Sequence, residues 1–304
     1  MEQKRKMFNI ISKIKYAYIF SGTLTVLSLL ALLIWGLKFD IDFTGGTRMQ
    51  IQYVDAVPAN QEVENDLKDL GLKSLIIQPS GNNQMLIRYA SEDDTINQEV
   101  FQKISEKYPG ATQLRVDYIN ASVSQELKSK SLWAIVYAVI GIMAYIAWAF
   151  RKVSRPVESW KYGAGAVIAL VHDVLITTGV FSLLGHFYAV EVGVPFIAAL
   201  LTILGFSVHD TIVVYDRTRE NLIRSSGKEK FPEIVNKSLN ETLVRSINTS
   251  LTVIITLLAI YIFGGESIKF FSLALLVGVT FGTYSSIFVA SALLVSIYNW
   301  QSKK

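Results

Sequence analysis

The run Tyr16 to Leu37, Y-A-Y-I-F-S-G-T-L-T-V-L-S-L-L-A-L-L-I-W-G-L, holds no charged residue. A bilayer core of about 30 Å takes roughly 20 helical residues at about 1.5 Å each, so this run is long enough to cross a membrane as a helix. Five more tracts of that kind follow. Ser131 to Phe150 is also free of charge; a third lies within Tyr162 to Leu184, broken by His172 and Asp173. A fourth lies within Val194 to Tyr215, broken by His209 and Asp210; the fifth is Ser246 to Phe263, and the sixth lies within Phe270 to Trp300. The first tract is too long for a signal peptide and ends in Trp35, Gly36, Leu37 and Lys38 instead of a small-residue cleavage site, so it reads as an uncleaved anchor. The fold class is an α-helical polytopic membrane protein with six transmembrane helices.

Composition agrees with that reading. The 304 residues are 51% hydrophobic and 18% charged, and the mean hydropathy is +0.36. A soluble chain carries about a quarter charged residues. The absence of cysteine excludes a disulfide framework, thiolate catalysis and cysteine-ligated metal or iron-sulfur sites. The net charge of +4 does not point to nucleic acid as a partner, because the basic residues flank apolar tracts instead of lining one polar face. The partner they indicate is the lipid bilayer.

Lysine and arginine in short loops resist translocation, so their positions set the orientation. Lys4, Arg5, Lys6, Lys13 and Lys15 precede the first tract; Arg151, Lys152, Arg155 and Lys161 follow the second; Arg217, Arg219, Arg224, Lys228, Lys230 and Lys237 follow the fourth; Lys303 and Lys304 end the chain. The loop after the third tract has neither residue type, and the loop after the fifth has Lys269 alone. Both termini are therefore expected in the cytoplasm. The division expected is a cytoplasmic N-terminus over 1–15, the first helix over 16–37, an outer domain over 38–130, helices two to six over 131–300 with a basic cytoplasmic loop at 216–245, and a cytoplasmic C-terminus at 301–304.

The segment from Lys38 to Lys130 alternates like a small folded domain. Thr47 to Val54 reads as a strand, and Asn60 to Leu70 as a helix with Val63, Leu67 and Leu70 on one face and Gly71 as its C-cap. Ser74 to Gln78 and Gln84 to Tyr89 read as strands joined by the turn 79–83. Asp94 to Tyr108, with Ile96, Val100 and Ile104, reads as a second helix stopped by Pro109-Gly110, and Ala111 to Ile119 as a last strand. The order β-α-β-β-α-β is the α+β ferredoxin-like arrangement, on the extracytoplasmic side. It contains no metal-spaced histidines, nucleophile elbow or phosphate loop, so no enzyme activity is expected from it. Where the first span emerges stands Asp40-Ile41-Asp42-Phe43-Thr44-Gly45-Gly46-Thr47, in which Gly45-Gly46 permits positive φ and a hinge between span and domain, while the aspartates also serve simply to solvate the helix exit.

A carboxylate at bilayer depth costs several kcal/mol unless paired, protonated or wet, which singles out Asp173 and Asp210. Counting along each span puts Asp173 near mid-membrane and Asp210 in the cytoplasmic half. Arg245 marks the start of the fifth span, within reach of Asp210 by depth. An aspartate that alternates between an arginine and a proton couples protonation to helix movement. Three other readings stand beside this one: a static Asp210–Arg245 pair, a metal site built from His172, Asp173, His209 and Asp210, and an aspartyl hydrolase. Adjacent residues on a helix point about 100° apart, which disfavours the metal site, and unequal depth disfavours the hydrolase. No metal or cofactor is expected. His186 reads as a solvated loop residue. Gly163, Gly165, Gly278, Gly282, Ser285 and Ser286 read as small residues that let helices approach closely.

These residues also carry a resemblance. Asp42-Phe43-Thr44-Gly45-Gly46-Thr47 looks like D-F-x-G-G-T, Val171-His172-Asp173-Val174 like an H-D motif of the third span, and 205–221 like G-F-S-V-N-D-T-V-V-x-x-D-R-x-R-E-N, with 238–251 (S-L-N-E-T-L-V-R-S-I-N-T-S-L) matching the stretch into span five. Across essentially its whole length the chain resembles the SecF family, the smaller partners of SecD in protein export and relatives of the resistance-nodulation-division transporters. The resemblance implies a subunit in the cell (inner or plasma) membrane that uses the proton-motive force with SecD to assist release of unfolded polypeptide on the outer side. The SecY/SecE/SecG channel and SecA are the implied further partners. It implies a proton relay through Asp210 and Arg245, to which Asp173 and His209 are added; His209 stands where the family has Asn and brings a group with an unperturbed pKa near 6.5. Asp216, Arg217 and Arg219 are placed to organise the cytoplasmic end of helix four or to form a solvated cluster there. The competing functions are a proton-coupled small-molecule exporter of the same superfamily and a non-conducting translocon scaffold. The start at Met1 in a basic segment leads to the expectation that SecD is a separate chain.

Overall fold

In the computed structural model, which describes residues 7–54, 56–81, 83–91, 93–151, 157–225 and 228–301, the chain divides into two units: one combines the described residues up to Lys38 with those from Trp133 onward, and the other is Phe39–Leu132. The basic residues Lys4, Arg5, Lys6, Lys152, Arg155, Lys303 and Lys304 lie outside the described residues.

Among the described residues, six helices are long and apolar enough to cross a membrane. They are built from α1 (Ile14–Ile34), α5 (Ala121–Ala149), α6 (Ser159–Tyr188), α7 (Val194–Ser225), α8 (Phe231–Phe263) and the pair α9 (Glu266–Ser285) and α10 (Ser291–Gln301), which a π-helical turn over Ser286–Ala290 joins into one span. On α1 the usual burial order is inverted, although Tyr162, Phe181 and Tyr215 are fully buried elsewhere in the unit. On α1 the buried residues are Ala17, Ser21, Ser28 and Ala31, while Leu33 and Ile34 are exposed. Lipid is as apolar as leucine, so large side chains gain nothing by turning inward and small ones line the helix contacts. A Cβ on Gly179 of α6 would sit 2.4 Å from Ser28 Cβ and 2.6 Å from Ser28 Cα, so backbone stands where the methyl would go. Gly179→Ala is expected to destabilise the unit by about 1–3 kcal/mol through overpacking. Gly22→Ala, with nothing within 4 Å of its Cβ position, is expected to be neutral or slightly stabilising. Thermal unfolding of the two variants in detergent checks the contrast.

Two boundaries differ from the sequence reading. Helix α5 begins at Ala121, not Ser131, because Asn120 Oδ1 accepts from the Ser122 backbone N–H at 2.8 Å and Lys130 pairs with Glu126 at 2.6 Å along the same helix. The stretch 216–245 is helix over most of its length, with α7 running to Ser225 and α8 starting at Phe231, where Pro232 suits a first turn. Asn236 accepts from the backbone N–H groups of Ile10 and Ile11, at 2.9 and 3.2 Å, and Phe231 lies 4.9 Å from Tyr298 ring to ring. The first described residues and α10 therefore meet α8 at one end of the bundle.

The smaller unit holds α2 (Ile41–Thr44), β1 (Gly46–Gln52), α3 (Asn60–Leu67), β2 (Lys73–Ser80), β3 (Gln84–Ala90), α4 (Asp94–Lys107) and β4 (Thr112–Ile119). The four strands pair antiparallel in the order β2-β3-β1-β4, the ferredoxin-like sheet. Alternation on the strands and spacing of four on the helices build one core: Met49, Ile51, Met85, Ile87, Val63, Leu67, Val100 and Ile104 are all fully buried. Gly71 caps the end of the first helical stretch with φ +59°, the left-handed conformation that a side chain resists. The hairpin is tighter than 79–83, since β2 runs on through Ser80.

Candidate functional site

Asp173 lies midway along α6 and has no exposed surface. Three polar groups surround it. His172 Nδ1 meets Oδ1 at 2.9 Å, and the hydroxyls of Ser207 on α7 and Ser285 on α9 donate to Oδ2 at 2.6 and 2.7 Å. The neighbouring residues His172 and Asp173 therefore touch each other despite their angular separation on the helix. The small residues explain how three helices come this close: a Cβ on Gly278 would stand 2.1 Å from Ile203 Cδ1, and one on Gly282 would stand 3.0 Å from Ser207 Cβ and 3.6 Å from Asp173 Oδ2. Just beyond, Ser286 shares a 2.9 Å hydrogen bond with Thr211 and donates to the Ser207 carbonyl at 3.1 Å. Tyr215 donates to the Ala290 carbonyl at 3.1 Å, and Ser291 to that of Ser286 at 3.2 Å, so side chains take up carbonyls of the π turn.

Asp210 is buried on the same helix as Ser207, one turn away, so it stands within about 5 Å of the level of Asp173 along the axis. The two carboxylates lie on the packed helices α6 and α7. They do not share a partner. Asp210 Oδ1 accepts from Ser246 of α8 at 2.6 Å, while its buried Oδ2 has no hydrogen-bond partner among the described residues. Arg245, the neighbour of Ser246, is exposed and makes no ion pair among the described residues, although its charge reaches Asp210. The chain thus has Asp210 held by a hydroxyl and the guanidinium disengaged. From Ser246 the hydroxyls continue: Ser250 donates to the Ser246 carbonyl at 2.9 Å and accepts from Thr283 of α9 at 2.6 Å.

His209 is exposed and lines a groove of about 700 Å³ between α5 and α7, with Tyr137, Gly141, Tyr145 and Gly205. Among the described residues no three His, Asp or Glu side chains gather to hold a metal. His186 is exposed, in the last turn of α6 and not in the loop, and its ring stacks on Trp35 at 5.0 Å. At the far end of α7, Asp216 pairs with Arg219 at 2.9 Å and Arg217 with Glu241 of α8 at 2.6 Å. Asn221 also donates to Glu241, at 2.6 Å, so this cluster ties α7 to α8 below Asp210.

The Asp42-Gly45-Gly46 motif belongs to the smaller unit. Asp40 caps α2, Asp42 stands in its first turn, and Gly45 and Gly46 follow with φ of +73° and +111°. A Cβ on Gly46 would lie 2.6 Å from the Tyr89 carbonyl oxygen, and one on Gly45 3.2 Å from Ala121 Cα. Close approach as well as backbone angle requires glycine here. Asp40 accepts from Arg48 at 2.9 Å, and Arg48 also reaches Asp117 at 2.8 Å. Burial works against the charge on Asp117, but the hydrogen bonds from Arg48 and Arg115 and their charges outweigh it and hold its carboxyl below the usual value. A depressed carboxyl stabilises the fold above its unfolded value of about 3.9, and that contribution is lost as pH falls through the lower native value. Hydrogen exchange of the β4 amides against pH is expected to show this acid-labile component in the wild type and to show it weakened in Arg48→Ala, where Arg115 still holds Asp117.

The chain resembles known proteins along its whole length. The family described as "Protein export membrane protein SecD/SecF, C-terminal" matches residues 99–300. A relative named protein translocase subunit SecF from Thermobaculum terrenum is 43% identical over 302 residues, covering 95% of this chain and 93% of its own. One of the same name from Desulfurispirillum indicum is 41% identical, covering 92% and 88%. The crystal structure of SecDF from Thermus thermophilus, described as a translocon-associated membrane protein, matches with a TM-score of 0.85 and 32% identity over 98% of this chain. The chain spans only 40% of that solved chain.

Proposed function

The chain belongs to the SecF family of protein translocase subunits, and from that premise we propose that it couples the proton-motive force to export of unfolded polypeptide across the cell membrane. It is a multi-pass membrane protein of a transport family. A SecD counterpart is its direct partner, as the joined SecDF relative suggests. The SecY/SecE/SecG channel and SecA supply the polypeptide. Both termini and the α7–α8 connection face the cytoplasm, which the lysines and arginines of 217–237 favour. The ferredoxin-like unit then stands outside, where it meets the emerging chain, with Asp42, Gly45 and Gly46 at its junction with the first span.

One observation carries the reading: among the described residues, Asp210 is a buried carboxyl on a membrane-length helix whose Oδ2 has no hydrogen-bond partner, and Arg245, whose charge reaches it, makes no ion pair. A carboxyl so placed has two ways to lose its buried charge, by binding a proton or by meeting the guanidinium, and exchanging one for the other moves α8 against α7. Asp173 and His209 complete the relay, and Asp216, Arg217 and Arg219 hold the far end of α7 in register.

The test is export into inverted membrane vesicles, with and without a proton gradient, for Asp210→Asn and Arg245→Met. Loss of the gradient response in both supports the relay. An unchanged response in both makes the chain a scaffold, and normal secretion with altered drug tolerance on deletion makes it an exporter.

A further inference from the structure

Two asparagines of α8 hold the backbone of the segment that leads into α1. Asn240 Oδ1 accepts from the Phe8 N–H at 2.7 Å and its Nδ2 donates to the Phe8 carbonyl at 2.9 Å, so one side-chain amide pairs with both backbone groups of a residue, as a neighbouring strand would. One turn earlier, Asn236 Nδ2 donates to the same carbonyl at 3.1 Å, and its Oδ1 accepts from the N–H groups of Ile10 and Ile11 at 2.9 and 3.2 Å. The pair is itself fixed, since Asn240 Nδ2 also donates to the Asn236 carbonyl at 2.7 Å. These contacts read backbone and not side chain: Met7 and Phe8 remain exposed, while Ile10 and Ile11 pack on the core that holds Val235 and Leu239 of α8.

The clamp lies on a different side of α8 from the one that meets Asp210. Ser238 and Ser246 face α7, the first accepting from Asn221 at 3.0 Å and the second donating to Asp210 at 2.6 Å, and the buried Thr242 stands between them. At about 100° per residue, the asparagines stand about 140° round the helix from that row. Helix α8 is therefore gripped from two sides, by α7 and by the segment 8–11. Arg245 and Ser246 are about 100° apart on it, so exchanging one for the other at Asp210 turns α8 about its axis. The helix is continuous over Phe231–Phe263, and Asn240 lies about 9 Å along it from Ser246, so the asparagines turn as well.

We infer that Asn236 and Asn240 are positioning residues of the transport cycle, which carry the turn of α8 to α1 by holding the backbone of Phe8, Ile10 and Ile11. The linkage is short. Helix α1 starts at Ile14, and the 3-10 turn Ile11–Lys13 joins it to the clamped residues. The other end of α1 is held on α6, where Ser182 donates to the carbonyls of Ala31 and Gly36 at 2.9 and 2.6 Å and Gly179 leaves room for Ser28. Between these points α1 meets the last span through rotatable hydroxyls, Tyr18 with Ser296 at 2.9 Å and Ser21 with Tyr284 at 3.1 Å. A rigid helix held at one end and drawn at the other tilts, and along the chain α1 leads to the unit that begins at Phe39.

This role rests on the relay reading and adds what the relay moves. Its test is Asn236→Ala with Asn240→Ala in the full chain, together with its SecD counterpart, in two assays: proton flux in liposomes and gradient-dependent polypeptide export into inverted vesicles. The variant is expected to keep wild-type flux and to lose the gradient-dependent part of export, whereas Asp210→Asn loses both. An unchanged gradient response overturns the role, and so does loss of flux and export together, which makes the asparagines supports of the fold alone. The chain has no cysteine, so Phe8→Cys with Asn240→Cys can be joined by a short bismaleimide linker, which decides the matter if the alanine variant does not fold. Unlinked, this pair is expected to export less than the wild type under a gradient, and linking is expected to restore it. An unlinked pair equal to the wild type, or no recovery on linking, overturns the role. Wild-type flux equal to that of Asp210→Asn removes the relay reading as well; flux that needs Asp210, beside an unchanged export response in the asparagine variant, removes this role alone.

Discussion

Asp210→Asn is expected to abolish the gradient-dependent part of polypeptide export and leave the gradient-independent part in place. Asparagine keeps the size of the side chain and an oxygen to accept from Ser246, whose hydroxyl donates at 2.6 Å, so the α7–α8 contact survives. What it loses is the exchange between charged and protonated forms. The size of the effect follows from the driving force. One proton moving through about 100 mV supplies roughly 2.3 kcal/mol, which is about fifty-fold in an equilibrium. A subunit that can no longer bind the proton forfeits that factor for every proton in the cycle. Arg245→Met is expected to act in the same direction, because without the guanidinium the deprotonated Asp210 has no counter-charge to move toward.

The largest effect on stability is expected from Ser207→Ala together with Ser285→Ala. Both hydroxyls donate to the same oxygen of Asp173, which has no exposed surface. Removing one leaves the oxygen with the other and costs about 1–2 kcal/mol; removing both strips a buried oxygen of both hydroxyl donors. The double variant is therefore expected to lose at least about 0.5 kcal/mol more than the sum of the singles, since groups that share a partner couple. Unfolding in detergent across the four proteins of the cycle measures this. Additivity within a few tenths of a kcal/mol would show that Asp173 does not depend on the two serines.

The membrane architecture was legible because about twenty uncharged residues in a row admit few other structures, and the ferredoxin-like domain because Met49 and Ile51 alternate and Val63 and Leu67 repeat at four. The helix ends were less so. Ala121 to Lys130 is polar, and polarity there reads equally as loop or as a helix leaving the membrane; the cap at Asn120 decides for helix. In the site, Asp173 and Asp210 stood out as ions among apolar neighbours, but nothing in one dimension says which oxygen meets which hydroxyl. Ser285 and Gly282 read only as small residues, yet Gly282 opens the space in which Ser285 reaches Asp173. Ser246 gave no signal beyond standing next to Arg245, and it is Ser246, not Arg245, that holds Asp210 here. Pairings across helices depend on rotation about each axis, which composition and periodicity constrain only to within a face.

Proton conduction itself is the claim to measure. With the chain and its SecD counterpart reconstituted together in liposomes enclosing a pH-sensitive dye, an imposed potential is predicted to drive proton flux in the wild type and none above background in Asp210→Asn. Equal flux in the two would contradict the account.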